Sequence, residues 1–221
     1  MDDGLTAIRR EYGAGTSEVP SGLRRADLAP DWTTQFRGWL AEAVAAPSVV
    51  EATAMVLATC SPDGAPSART VLLKGVSDDG FTFFTNLTSR KGREIEGNPR
   101  VSLVFPWYAL ERQVVVTGSC VTLPRADVEA YAHSRPRGSQ LSAWASPQSR
   151  PVSGRDELER LRAETAARWP AGELPVPRFW GGFRVVPDSV EFWQGRPDRL
   201  HDRLRFRLDP AGEWVVERLG S

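Results

Sequence analysis

Lysine is scarce in this chain: of its 28 basic residues only Lys74 and Lys91 are lysines. A GC-rich coding bias accounts for the excess of arginine but not for the two exceptions. A compact ammonium and a forked guanidinium are not interchangeable in a tight phosphate site. Lys91 lies in Thr88-Ser-Arg-Lys-Gly-Arg93. Thr88 or Ser89 suits a helix N-cap, which puts Arg90 and Lys91 in the first turn, where the helix dipole disfavours cations. A bound anion resolves that conflict, because free amides and basic side chains then converge on it. A solvated basic helix start is the alternative, and this segment alone does not choose between them.

A second basic cluster is Tyr131-Ala-His-Ser-Arg-Pro-Arg-Gly-Ser139. Tyr131 and Arg135 are four apart and share a face if the helix survives that far. Pro136 disfavours helical geometry at Arg135 and ends the helix there. Ser139 then caps the next helix and offers a second anion its hydroxyl and amides; an arginine-rich connecting loop is the plainer reading. The third cluster, Arg199-Leu-His-Asp-Arg203, reads as a strand with Arg199, His201 and Arg203 on one face. Such a face suits solvent or an anionic aromatic ligand. Just before it, Phe192-Trp193-Gln194-Gly195 supplies a flat aromatic wall, although core packing is the default for any Trp. Arg69-Thr-Val-Leu-Leu-Lys74 reads as a buried strand ending in a cation. Strict alternation puts Arg69 and Lys74 on opposite faces. A ligand shared by both requires a bulge, a strand end or a main-chain contact.

The rest of the composition narrows the field. Net charge is zero, so there is no global basic field for nucleic acid or anionic lipid. No apolar run approaches a membrane span, and Met1-Asp2-Asp3-Gly4 lacks the plan of a signal peptide. Cys60 and Cys120 make neither a CxxC motif nor a disulfide framework, so a reducing cytoplasm is the expected location. No dinucleotide fingerprint, P-loop or nucleophile elbow is present. The two histidines are far apart and no metal site is expected.

These clusters need elements to hold them. Residues 1–30 read as an arm or lid with one short helical pattern over Leu5–Tyr12, and 31–221 as a single domain. Apolar residues from Phe36 to Val44 recur at helical spacing within Thr33–Ala46, behind a possible Asp31 cap. Strand patterns cover Ala54–Thr59, Arg69–Lys74, Phe81–Asn86, Val101–Trp107 and Arg112–Leu123. A short helix from Ser89 stops by Asn98-Pro99. Helical patterns return at Arg125–Ser134, Gln140–Ala145 and Arg155–Trp169. Strands follow at Gly182–Val186, Ser189–Trp193, Leu200–Leu208 and Trp214–Leu219. Strands dominate without regular βαβ alternation, which predicts a mostly β barrel or antiparallel sheet with peripheral helices.

Taken in order, these segments closely resemble the pyridoxine (pyridoxamine) 5'-phosphate oxidases, a family of FMN-binding split β-barrel homodimers. The resemblance runs from Arg9-Arg-Glu-Tyr12 to Glu217-Arg-Leu219. It rests on Arg69–Lys74, Phe84-Thr-Asn86, Ser89-Arg-Lys91, Asn98-Pro-Arg-Val101, Glu111-Arg-Gln-Val114, Ser134-Arg-Pro-Arg137, Gln148-Ser149, Phe179–Arg184 and Phe192–Arg203. It implies that FMN contacts Arg69, Thr70, Val71, Leu72, Leu73, Lys74, Phe84 and Thr85, with Arg90 and Lys91 on its phosphate. Gln113, Gln148, Ser149, Trp193 and Arg203 complete that site from both subunits, so FMN lies at the dimer interface. Lys74, Tyr131, Arg135 and Ser139 hold the substrate phosphate, Arg199 and His201 the reacting ring, and Arg9 and Tyr12 close over it. The implied reaction converts pyridoxine 5'-phosphate or pyridoxamine 5'-phosphate to pyridoxal 5'-phosphate, with O2 as acceptor, giving H2O2 and, from the amine, ammonia. Arg199 and His201 are the implied catalytic residues. Phe84 stands where some relatives have Tyr and Glu51 where some have Asp, and Glu51 has no assigned role.

Overall fold

The computed structural model describes Tyr12 and residues 22–221. The arm's helical pattern and Arg9 therefore lie outside the described residues. The chain joins the core at Leu23, which is buried. Helix α1 (Trp32–Ala45) starts at Asp31, whose carboxylate accepts the Thr34 N–H at 2.7 Å. Its buried face carries Trp32, Phe36, Trp39 and Ala43 at helical spacing. Phe36 is fully buried, its ring 4.9 Å from Phe81 and 4.8 Å from Phe105. Each such ring contributes roughly 2–3 kcal/mol by leaving water. This aromatic knot pins α1 to the sheet.

Among the described residues nine strands form one antiparallel sheet: β1 (Ala54–Cys60), β2 (Pro66–Leu72), β3 (Gly75–Ser77), β4 (Gly80–Asn86), β5 (Arg100–Trp107), β6 (Arg112–Thr122), β7 (Trp180–Gln194), β8 (Asp202–Leu208) and β9 (Trp214–Arg218). The order is β2-β1-β5-β6-β7-β4-β3, and β7 also pairs β8, which pairs β9. The sheet curls into a half-barrel around the aromatic core. Helix α2 (Arg90–Gly97) follows β4. Helices α3 (Arg125–Ser134), α4 (Arg137–Ala145) and α5 (Arg155–Arg168) lie between β6 and β7. The expected mostly β architecture with peripheral helices is what forms.

Four local expectations change. The two strands expected around Pro187-Asp188 are one strand, β7, because a register shift opposite Thr117 and Gly118 absorbs the extra residue. Asp188 is held there by the Thr117 hydroxyl at 2.6 Å and by Arg100 at 2.6 Å. Gly118 is needed at this point, since a Cβ would sit 2.2 Å from the Val186 carbonyl oxygen. Helix α4 begins at Arg137 with Pro136 as its N-cap, so Ser139 is in the first turn rather than at the cap. Strand β2 ends at Leu72, which leaves Lys74 in the connection to β3. Strand β8 starts at Asp202, so Arg199 and His201 are not on a strand.

Candidate active site

Three groups of polar side chains occupy the ends of the central strands. The first surrounds the start of α2. Ser89 caps the helix, accepting the Gly92 N–H at 3.3 Å and donating to the Asn86 carbonyl at 2.7 Å. Lys91 is buried, and its Nζ donates to Ser89 Oγ at 3.2 Å and to Gln148 Oε1 at 2.8 Å. Burial, reinforced by the nearby charge of Arg69, pulls its pKa down to about 8. Glu94, one turn on, is a residue that motif reasoning missed. Its carboxylate takes Arg90 Nε at 2.7 Å, Arg69 Nη2 at 3.2 Å, Ser67 Oγ at 2.6 Å and Thr59 Oγ1 at 2.5 Å. Burial opposes the charge of Glu94, but the Ser67, Thr59 and Arg90 bonds together outweigh it and hold its pKa at about 2.

Arg69 is spent inside the protein, donating also to the Leu57 carbonyl at 3.2 Å and to Ser67. Arg90 engages Glu94 through Nε, which leaves its outer guanidinium nitrogens for an anion. The i,i+4 spacing of Arg90 and Glu94 was visible in the sequence; the long-range contact to Arg69 was not. Gln148 reaches the group from the segment after α4, whereas the neighbouring Ser149 is exposed with φ 66°. Thr70, Val71 and Leu72 lie on β2, an edge strand paired only with β1. Leu73 is buried and donates its N–H to the Thr53 carbonyl at 2.9 Å.

The second group lies beside the first. The Lys74 N–H bonds the Thr82 carbonyl at 2.8 Å, placing Lys74 next to β4, which carries Phe84 and the buried Thr85. Phe84 pairs in register with Gly182 of β7. A Cβ on Gly182 would meet the Phe84 ring at 2.7 Å, so the glycine lets that ring lie flat. Tyr131 of α3 stacks on Phe84 with centroids 3.9 Å apart and planes 13° from parallel. Helix α3 ends at Ser134 and Arg135 is its extended C-cap, so helix spacing does not align it with Tyr131; its guanidinium covers the Trp180 ring at 4.5 Å. Burial raises the Tyr131 pKa and lowers that of Arg135, each partly offset by the other. Among the described residues the polar tips of Lys74, Tyr131, Arg135 and Ser139 make no hydrogen bond.

The third group is at the other end of β7. Gln113, Trp193 and Arg203 are register partners across β6, β7 and β8, so they form one row on one face. Arg203 pairs with Glu191 at 2.7 and 3.1 Å. Trp193 lies 4.7 Å from the His201 ring, and Tyr12 meets both edge-on at 5.4 and 5.2 Å. The Arg196 N–H donates to His201 Nδ1 at 3.1 Å, which leaves Nε2 as the ring's N–H donor. Arg199 is exposed in a one-turn 3-10 helix (Pro197–Arg199), and its guanidinium has no partner among the described residues. Arg199 and His201 thus lie on a turn rather than on the expected strand, while Arg203 is on β8.

The first two groups meet at the β4–β7 junction, whereas the third sits eleven residues further along β7. At ~3.3 Å per residue that is roughly 36 Å of strand. One subunit does not bring all the named residues around one mononucleotide. Among the described residues, no helix is long and apolar enough to cross a membrane, and no His, Cys, Asp and Glu cluster could hold a metal.

This is the fold of the FMN-binding split barrels. A structure of PhzG from Burkholderia lata 383, in complex with tetrahydrophenazine-1-carboxylic acid, matches with a TM-score of 0.84 and 31% identity, covering 92% of this chain and 100% of that one. A pyridoxamine 5'-phosphate oxidase-related, FMN-binding protein from Nostoc punctiforme shares the fold at TM-score 0.66 and 20% identity, over 88% and 99% of the two chains. The profile described as pyridoxamine 5'-phosphate oxidase matches residues 41–169, and that of the pyridoxine 5'-phosphate oxidase C-terminal dimerisation region matches 180–220. The pyridoxine/pyridoxamine 5'-phosphate oxidase of Nocardioides sp. is 57% identical over 97% of both chains, and that of Cupriavidus necator 50% identical over 97% of this chain and 98% of its own. The chain belongs to the pyridoxamine 5'-phosphate oxidase family.

Proposed function

We propose that this protein is an FMN-dependent oxidase that converts pyridoxine 5'-phosphate and pyridoxamine 5'-phosphate to pyridoxal 5'-phosphate, and that it works as a homodimer with FMN between subunits. The observation that carries the reading is the second group of side chains. Lys74, Tyr131, Arg135 and Ser139 leave their polar tips unbonded by the chain beside a separate basic pocket, so two cations and two hydroxyls are available to an anion that displaces the water on them. Two adjacent anion sites suit two phosphates, one on the cofactor and one on the substrate.

The α2 pocket fits the phosphate of FMN. The capped helix start, the outward fork of Arg90 and the buried ammonium of Lys91 all favour a dianion. Arg69 acts there from behind, through its charge, and Gln148 orients the Lys91 amine. The half-exposed edge strand carrying Thr70, Val71 and Leu72, together with Phe84, Thr85 and Ser149, would border the isoalloxazine. Gln113, Trp193 and Arg203 would complete the site from the partner subunit, because their row is too far along β7 to do so within one chain. The match of 180–220 to a dimerisation region supports the same arrangement.

When bound, the flavin supplies a two-electron acceptor that dioxygen restores, with release of H2O2. The chain's own residues bind and orient. Tyr131, Arg135, Ser139 and Lys74 fix the substrate phosphate, and His201 donates from Nε2 to the ring. Arg199, unpaired in the protein, favours the ionised phenolic oxygen of the ring and so eases loss of the proton that accompanies oxidation. Tyr12, against Trp193 and His201, covers that end of the site.

The test is aerobic turnover of pyridoxine 5'-phosphate with added FMN, following pyridoxal 5'-phosphate and peroxide together. Equal formation of both is expected, and Arg135→Ala should raise KM by about 10- to 100-fold, the worth of a charged hydrogen bond. Bound FMN with both phosphorylated substrates inert would refute the reading and redirect it to an unphosphorylated aromatic acid.

A further inference from the structure

The turn that carries Arg199 and His201 is an unfavourable piece of backbone. Asp198 and Arg199 both have left-handed geometry, with φ of 56° and 62°, which side-chain-bearing residues adopt only where surrounding contacts hold them. No glycine occupies either position. The holding contact comes from the far end of the chain. The Ser221 hydroxyl donates to the Arg199 carbonyl at 2.6 Å and accepts the His201 N–H at 3.0 Å. One hydroxyl thus bridges the two residues assigned to the substrate ring, with its donor and its acceptor both used. The approach of Ser221 is itself fixed. Leu219 donates its N–H to the Arg203 carbonyl at 3.0 Å, and the Gly220 carbonyl accepts from Arg203 Nη1 at 2.9 Å. The turn is also stitched from within by Arg196 N–H on His201 Nδ1.

We propose that Ser221 is a positioning residue for the reaction: its hydroxyl sets the register of the Arg199-Leu200-His201 turn, so that both side chains reach the substrate together. This rests on the assignment of Arg199 and His201 to the substrate. Arg199 is exposed and Ser221 lies at the surface, so water can replace either bond when the hydroxyl is removed. Stability is therefore little affected, while the geometry of the turn loses its constraint. A displacement well under the length of a bond is enough to slow a reaction that depends on alignment.

The experiment compares Ser221→Ala and Ser221→Thr with the FMN-loaded wild type. Four quantities are read: kcat and KM for pyridoxine 5'-phosphate, the Kd of pyridoxal 5'-phosphate by direct absorbance titration, the Kd of FMN, and Tm. Ser221→Ala should lose about tenfold in kcat/KM and bind the product about fivefold more weakly, with FMN affinity and Tm unchanged. Ser221→Thr, which keeps the hydroxyl, should recover most of the loss. An alanine variant with wild-type kinetics overturns the proposal. So does one whose FMN affinity or Tm falls in the same proportion, since that is a merely structural role. A wild type inert towards both phosphates defeats the assigned function and this proposal with it; an active wild type beside an unaltered alanine variant defeats this one alone.

Discussion

With Lys91 assigned to the cofactor phosphate as proposed, FMN binding is a proton-linked event whose size follows from the surroundings of the lysine. In the unliganded pocket its pKa is pulled to about 8 by burial and by Arg69, against an ordinary 10.5. A phosphate dianion beside the ammonium reverses the balance and returns the group at least to its ordinary value. Between pH 8 and 10.5, binding must then take up close to one proton, so affinity falls as pH rises. With those two values the apparent association constant drops about twofold by pH 8 and about tenfold between pH 7 and 9. Stability of the unliganded protein moves the opposite way. The unfolded chain binds more protons than the folded one in that window, so folding becomes more favourable as pH climbs from about 8 towards 10.5. Quenching of flavin fluorescence across pH 7–9.5 measures the first effect, with riboflavin, which lacks the phosphate, as the flat control. Lys91→Met should bind FMN about 10- to 100-fold more weakly at pH 7 and lose the pH slope. A wild-type affinity that does not change from pH 7 to 9, or a Lys91→Met protein that keeps the slope, refutes this account of the pocket.

Two further predictions concern stability. Phe36→Ala should cost about 3–5 kcal/mol in urea unfolding, because it empties a fully buried site between Phe81 and Phe105 that the sheet cannot close. Glu94→Ala should cost roughly 2–4 kcal/mol by leaving Arg69 without its counter-charge. The pH dependence has a definite sign: the folded-state pKa of Glu94 lies near 2, below its ordinary 4.5, so its contribution is full above pH 4.5 and lost as pH falls towards 2. Acid unfolding of the variant should be flatter across that window.

Much of the fold was legible because its signals are local. Asp31 caps α1 as its position suggested, Ser89 caps α2, and Arg125–Ser134 forms a helix with the bounds its pattern marked. The join of two strands into β7 was not, because a proline and an extra residue break the two-residue period that sequence reading relies on. Only the partner strand, with Gly118 opposite the bulge, shows that the ladder continues.

The site divides along the same line. Lys91, Arg90, Tyr131 and Arg135 stood out as candidates because one helix start and one short basic segment display them within a few residues. Glu94 was missed although its sequence position is adjacent, since its role depends on Arg69, Thr59 and Ser67 arriving from β1 and β2. Arg199 and His201 were expected on a strand and lie on a turn instead. Alternation gave the strand; Asp198 is of a residue type enriched in left-handed geometry, but a left-handed Arg199 has no sequence signature. What stabilises that geometry is a hydroxyl some twenty residues away along the chain. Residues proposed to touch a ligand thus announce themselves by chemical type, whereas residues that aim them act through contacts distant in sequence. A single chain read in isolation gives the first kind readily. The second kind, Glu94 behind the phosphate pocket and Ser221 behind the ring-binding turn, required the sheet to be folded first.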